Sequence, residues 1–286
     1  MPVICHDAEM RIEPVSIQRI KTVLCDLDGV VWLAHEPIPG AVVAIAALRA
    51  AGRRVVFVTN NSAVVIAEHE AALQAIGIPA VGDVISSSVA AALLVESGDR
   101  VLVTGGPGIV EAVEAVGAIA VVNDGTVDGW NGGFDAVLVG LHRDFDYQRL
   151  ATAAAAIHSG ARLIGTNSDS TYPTPRGLEP GGGSILAAVA TAGNAVPMIA
   201  GKPHAPMAQA IAQHLSTGDV PFDPATAVMV GDRPETDGLM AARIGCQFAL
   251  VRSGVSGPAD ELAGHADLVV HIDLPDLAAL AALILG

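Results

Sequence analysis

Short apolar runs recur along the chain, and each ends in a turn or a polar cluster. They read TVLCD (22–26), RVVFVTN (54–60), RVLVTGG (100–106), AIAVVND (118–124), DAVLVG (135–140), RLIGTN (162–167), VPMIAG (196–201), AVMVGD (227–232), QFALVRSG (247–254) and DLVVHI (267–272). Val, Ile and Leu dominate them, and the apolar character is continuous instead of alternating. That pattern predicts strands buried on both faces, as in a parallel sheet. Between the runs lie Ala-rich segments of helical character at 41–52, 67–77, 111–117, 147–160 and 182–193. Each closes on a glycine, where a helix stops readily. The last segment, LAALAALILG, reads as a helix packed on the core. Strand–helix alternation predicts an α/β fold with right-handed crossovers.

Ligands of such sheets bind at the carboxyl ends of the strands. Asp26, Asp28, Thr59, Asn60, Asn61, Lys202 and Asp232 all fall at or just past a predicted strand end. They are candidates for one site built from four strands remote in sequence. Asp26 and Asp28 are two apart, so an extended chain points both to the same side, and Gly29 permits a sharp turn away. Asp26 suits a nucleophile or metal ligand, with Asp28 a proton donor beside it. TNNS (59–62) offers a hydroxyl and amides for an oxyanion, Lys202 a fixed positive charge, and GDRPETD (231–237) the carboxylates Asp232 and Asp237. Several carboxylates suit a hard cation such as Mg²⁺. A hard cation, a lysine and a hydroxyl around a nucleophilic carboxylate describe phosphoryl transfer.

Composition narrows the partners. The 286 residues allow one large domain or two smaller ones, and the formal net charge of −15 speaks against a nucleic-acid partner. It leaves room for a small phosphate ester held by one lysine, a metal ion and backbone amides. Cys5, Cys25 and Cys246 show no CxxC spacing and read as small apolar fillers in a reducing compartment. The N-terminal MPVICHDAEMRIE lacks signal-peptide regions, and no apolar run of 18 residues occurs. A soluble, cytoplasmic protein with no membrane partner is expected. The glycine stretches TGGPG (104–108) and PGGGS (180–184) read as strand-to-helix turns, since neither completes a phosphate-loop pattern. His69 is expected on a solvated helix face. Trp32 is expected in the core or lining the site entrance.

Four motifs in order, DLDGV (26–30), FVTNNS (57–62), GKP (201–203) and GDRPETD (231–237), each follow an apolar strand. On these residues the chain resembles the haloacid dehalogenase (HAD) superfamily, in its NagD-like class IIA phosphatase branch. TNSDSTYPTPRGLEPGGGS (166–184) is similar to that branch's own TNxDxxxP…PGxGS segment. The resemblance implies a Rossmann-like parallel-sheet core with an inserted α/β cap domain. Between Asn61 and Lys202 lie 140 residues, far more than one crossover needs. The core is expected at 1–97 and 197–286 and the cap at 98–196.

By the same resemblance, Asp26 would attack phosphorus and form an aspartyl-phosphate, and Asp28 would act as acid and base. Thr59, Asn60, Asn61 and Lys202 would bind the phosphoryl group. Mg²⁺ would be held by Asp26, the backbone carbonyl of Asp28 and Asp232, with Asp237 orienting the metal waters or Lys202. Asn167, Asp169 and Tyr172 on the cap would face the catalytic centre and choose the substrate. His142 stands where relatives carry Asp. The implied activity is hydrolysis of small phosphomonoesters such as glycerol phosphate, phosphoglycolate, pyridoxal phosphate, sugar phosphates or nucleoside monophosphates, and a homodimer is the implied assembly. A phosphomutase or other phosphotransferase would share the same core. A non-catalytic phosphoacceptor module would lack both Asp28 and the cap.

Overall fold

The computed structural model describes residues 17–174, 177–216, 221–256 and 268–286. Cys5, the N-terminal segment and the start of DLVVHI lie outside the described residues, as do Pro175 and Arg176 of the cap loop. The chain begins with β1 (Thr22–Cys25), a short hairpin of β2 (Trp32–Leu33) and β3 (Glu36–Pro37), α1 (Ala41–Ala50), β4 (Arg54–Thr59), α2 (Ile66–Ala75), β5 (Val84–Ser86) and α3 (Ser87–Ala92). Next come β6 (Arg100–Thr104), α4 (Pro107–Ala115), β7 (Ile119–Val122), β8 (Ala136–Val139), α5 (Tyr147–His158) and β9 (Arg162–Gly165). A hairpin of β10 (Thr171–Thr174) and β11 (Gly177–Pro180) leads to α6 (Gly182–Gly193) and β12 (Met198–Ile199). The chain closes with α7 (Ala205–Leu215), β13 (Ala227–Gly231), α8 (Leu239–Ile244), β14 (Gln247–Val251), β15 (Ile272–Leu274) and α9 (Leu277–Leu285).

Two parallel sheets result. One has six strands in the order β15-β14-β13-β1-β4-β5, the other five in the order β12-β9-β8-β6-β7. The motif-bearing strands β1, β4 and β13 are neighbours at the centre of the first sheet, so Asp26, Thr59 and Asp232 leave it side by side. The continuous apolar runs have the predicted cause at β1, β8, β13 and β14, whose residues are all buried. β7 differs: Ile119 is 52% and Val122 50% exposed, because it is an edge strand of its sheet. DLVVHI yields a strand only from Ile272 onward. The edge strand β12 lies past residue 196 and pairs with β9, so the second sheet extends beyond the segment expected for the cap.

Burial joins the two sheets. One core cluster unites Leu24, Val56 and Met229 of the first sheet with Val101, Leu138 and Ile164 of the second. A second cluster packs the other face of the first sheet under α1 and α9, with Val23, Phe57, Leu48 and Leu280. A third covers the second sheet's outer face, where Leu102 and Val137 meet Ala153 of α5 and Leu186 of α6. TGGPG and PGGGS are the turns into α4 and α6, as expected. Cys25 and Cys246 are buried, and burial pushes both thiols well above their ordinary range, which suits inert filling.

Candidate active site

Asp26 is the first residue past β1. Its Oδ1 accepts the Leu27 N–H at 2.8 Å and lies 2.8 Å from Lys202 Nζ. Lys202 reaches this point from the turn after β12, and its Nζ also meets Asp237 Oδ1 at 2.7 Å. Both ends of that second pair are almost fully buried, with Lys202 2% and Asp237 0% exposed. Burial disfavours the lysine's charge, yet the Asp237 and Asp26 carboxylates outweigh it and push the ammonium's pKa up. Asp237 sits in one turn of π-helix, Pro234–Gly238, and its Oδ2 accepts the Arg233 N–H at 3.2 Å.

Asp28 follows Asp26 by two residues, and the buried Trp32 donates its indole N–H to Asp28 Oδ1 at 3.1 Å. Trp32 is therefore a core residue that also holds the second aspartate. Burial, then the Asp26 carboxylate, pushes Asp28 up to about 6, while the Trp32 hydrogen bond pulls it down. Gly29 has φ +89°, and a Cβ there would stand 2.4 Å from Asp232 Oδ2. No other residue fits both demands.

Asp232 ends β13. Its Oδ2 accepts the Val255 N–H at 2.6 Å, while Oδ1 is buried with no hydrogen-bond partner among the described residues. Burial, then Asp26, pushes its carboxyl up to about 6. Carboxylate oxygens of Asp26, Asp232 and Asp237 all lie within 4.8 Å of one another. Three carboxylates face one ammonium here, and one buried oxygen is orphaned. A divalent cation fits both features, since it would cancel the surplus charge and give Asp232 Oδ1 a partner.

The loop after β4 supplies the opposite wall. Thr59 Oγ1 accepts the Asn61 N–H at 3.0 Å, and Asn61 Oδ1 accepts the Ala63 N–H at 3.0 Å. The Asn60 side chain is engaged within the protein. Its Oδ1 accepts the Lys202 N–H at 2.8 Å, and its Nδ2 donates to the Lys202 carbonyl and to Asp169 Oδ2, both at 3.2 Å. Its carbonyl accepts from Ser87 Oγ at 2.6 Å and Asn167 Nδ2 at 2.8 Å. The side chain thus fastens the lysine loop and the second sheet's loop to the first sheet. His69, expected to be solvated, is 3% exposed, and its Nε2 lies 3.3 Å from the Asn61 carbonyl. Asn61, in the loop before α2, thus meets this face of the helix.

From the second sheet, Asn167 and Asp169 follow β9 and Tyr172 lies in β10. All three reach the same cavity as Asp26, Asp28, Asn60, Asn61 and Lys202. Burial raises the Asp169 carboxyl. The Arg143 guanidinium lies 5.8 Å from the Tyr172 ring centroid and pairs with Glu179 at 3.3 Å. His142 lines a neighbouring groove instead of this cavity. Sequence reasoning missed Arg233, Thr236, Ser62 and Leu141, which also line the cavity, and Ser253, whose Oγ donates to the Gly29 carbonyl at 2.7 Å. Arg233 lay inside a quoted motif. Ser253 sat at the end of a predicted strand, so the strand-end rule would have flagged it.

Residues 23–119 match the family described as haloacid dehalogenase-like hydrolase, and 199–277 match a HAD-hydrolase-like family. D-glycerol 3-phosphate phosphatase of Mycobacterium tuberculosis is 38% identical over 83% of this chain and 64% of its own length. The chain therefore spans just under two thirds of that relative. Mouse chronophin is 34% identical over 90% of this chain and 91% of its own. Crystal structures of the M. tuberculosis glycerol phosphate phosphatase superpose with TM-scores of 0.81 in complex with calcium and 0.80 with magnesium. Each is 34% identical and covers 93% of this chain, against 76% and 78% of the other. No helix among the described residues is long and apolar enough to cross a membrane. The chain belongs to the haloacid dehalogenase-like hydrolases, in their class IIA phosphatase branch.

Proposed function

We propose that this phosphatase hydrolyses small phosphomonoesters in a Mg²⁺-dependent reaction through an aspartyl-phosphate on Asp26. The observation that supports this best is the buried lysine between two carboxylates beside an orphaned third, Asp232. Asp26, Asp232 and the Asp28 carbonyl would hold the ion, which supplies positive charge to the phosphoryl oxygens. Asp237, with both oxygens already engaged, orients Lys202. Asp26 Oδ1 is held by Lys202 and the Leu27 N–H, so attack falls to Oδ2. An Oδ2–P bond forms as the bond from phosphorus to the leaving oxygen breaks, and Asp28 gives its proton to that oxygen. Water then attacks phosphorus, Asp28 takes the water's proton, and inorganic phosphate leaves with Asp26 restored. The raised pKa of Asp28 suits the first of these proton transfers. The second sheet serves as the cap, closing the cavity with Asn167, Asp169 and Tyr172.

The test uses p-nitrophenyl phosphate with and without Mg²⁺, together with acid quenching to trap a phosphoryl group. Mg²⁺-dependent phosphate release and an adduct on Asp26 are expected, with Asp28→Asn cutting turnover by about 10²–10⁴ while the protein stays folded. Absence of Mg²⁺-dependent release from a folded preparation would refute the reading.

A further inference from the structure

The hairpin that follows the first motif carries backbone strain. β2 and β3 pair Trp32 with Pro37 and Leu33 with Glu36, so Ala34 and His35 form the whole turn. Their φ values are +50° and +69°, which puts both central positions in the left-handed region. Two-residue turns of this hand favour Asn-Gly, because most side chains there crowd their own backbone. This turn has neither Asn nor Gly. Strain kept beside an active site points to a task for the side chain that keeps it.

The ring of His35 makes no hydrogen bond or ion pair among the described residues. It stands against the Trp32 indole, with ring centroids 5.0 Å apart and planes tilted by 55°. Trp32 is 2% exposed, although Leu33, Ala34, His35 and Glu36 beside it are all exposed. The Trp32 backbone is tied to the first motif. Its N–H donates to the Leu27 carbonyl at 3.2 Å, and its carbonyl accepts the Gly29 N–H at 2.8 Å. These bonds do not fix the indole, which still turns about its side-chain bonds. That rotation decides whether the indole N–H reaches Asp28 Oδ1, 3.1 Å away. A turn of the opposite hand would splay the two strands and carry His35 off the indole.

We propose that His35 is a positioning residue for the phosphatase reaction: its ring fixes the Trp32 indole, whose N–H in turn aims the Asp28 carboxyl. The inference rests on the reading of Asp28 as the group that moves the proton. Neither Trp32 nor His35 lines the described cavity that would take the substrate. Their influence therefore falls on proton transfer and leaves substrate binding alone, which separates kcat from KM. Ring contacts of this kind have a strength equivalent to about threefold to tenfold in rate.

The experiment measures kcat and KM for glycerol 3-phosphate and p-nitrophenyl phosphate with Mg²⁺ in wild type, His35→Asn and His35→Phe. Asn tolerates the left-handed turn but lacks the ring. His35→Asn should lower kcat by about threefold to tenfold on each ester the wild type hydrolyses, with KM unchanged and Tm within about 2 °C. His35→Gly serves in its place should that variant not fold. Phe restores the ring and tolerates the turn poorly, so His35→Phe should keep kcat within about twofold while Tm falls by roughly 2–8 °C. In a Trp32→Phe background, which lacks the N–H, His35→Asn should cost no further kcat. Trp32 and Trp130 are the two tryptophans of the chain, so Trp130→Phe leaves Trp32 as the sole indole emitter. Its emission should shift to longer wavelength on His35→Asn and return on His35→Phe. Unchanged kcat in folded His35→Asn, a loss carried by KM, a folded His35→Phe no faster than His35→Asn, or an undiminished loss in the Trp32→Phe background overturns the proposal and leaves the phosphatase reading standing. No Mg²⁺-dependent release from either ester by the wild type sinks that reading, and this proposal with it.

Discussion

Asp232→Asn should reverse its effect on stability according to whether a divalent cation is present. Asp232 is 1% exposed, and its Oδ1 has no hydrogen-bond partner among the described residues. Burial, followed by Asp26, raises its carboxyl from 3.8 to about 6. A carboxyl raised in the folded state favours folding most below its ordinary value, and that contribution is lost as pH rises through the folded value. At about 1.4 kcal/mol per pH unit, ionised Asp232 disfavours the cation-free fold by about 3 kcal/mol. Asn keeps the acceptor for the Val255 N–H and removes the charge. In EDTA at about pH 8, the variant should therefore be more stable than the wild type, by up to about 3 kcal/mol. In Mg²⁺ at a thousandfold excess over Kd the wild type gains about 4.1 kcal/mol, an upward shift of roughly 7 °C in Tm. The variant, lacking a charged ligand at this position, should gain far less, so the order of stability inverts. Calorimetric melts of both proteins in EDTA and in excess Mg²⁺ measure this directly. A variant less stable than wild type in EDTA, or one with an undiminished Mg²⁺ shift, refutes the assignment of Asp232 as the cation's ligand.

Three further outcomes follow from single contacts. Trp32→Phe removes the 3.1 Å hydrogen bond that holds Asp28 down, so the alkaline limb of the kcat/KM profile, expected near 6 for an acid in this environment, should move up by up to about one pH unit; a limb that stays or moves down contradicts the role of Trp32. Burial pushes His69 below its ordinary 6.5, so its neutral form stabilises the fold fully above that value and the contribution is lost as pH falls through the lower, folded value. Urea midpoints of His69→Gln should fall less steeply than those of wild type in mild acid, and parallel profiles would count against this account. Gly29→Ala forces a side chain into φ +89° and against Asp232 Oδ2, which should lower stability by about 1–3 kcal/mol and weaken the Mg²⁺-dependent Tm shift together; loss of stability with an intact shift would separate the turn from the cation site.

Much of this architecture was legible because strand ends carry the chemistry. Continuous apolar runs located β1, β4 and β13, and the polar residues just past them proved to be neighbours. Hydropathy fails where neighbours decide burial. AIAVV resembles the central runs, but β7 has a partner on one side only, and half of its apolar surface stays open. β5 is three residues long, too short to stand out, and the β10–β11 hairpin contains Pro173, which reads as a break in a strand. His69 stands between Glu68 and Glu70, a sequence that suggests a solvated face, yet it is buried and meets Asn61 outside its own helix.

The site shows the same division at the level of single atoms. Asp26, Asp232 and Asp237 are chemically identical in the sequence, and distances separate their roles. Asp237 has one oxygen on Lys202 and the other on the Arg233 N–H, which leaves it to position the lysine. Asp26 has Lys202 and the Leu27 N–H on a single oxygen, the arrangement on which the proposed attack by the other rests. Asp232 alone retains a buried oxygen with no partner among the described residues. Asn60 carries the converse lesson. Its place in the TNN motif marks it as a residue of the site, and only the structure shows that its side chain bridges Lys202 and Asp169. The group that holds the backbone of Lys202 is thus the same group that holds the Asp169 carboxylate. Any movement of the second sheet's loop relative to the first sheet must strain the bonds to the Lys202 backbone, because one amide side chain holds both loops.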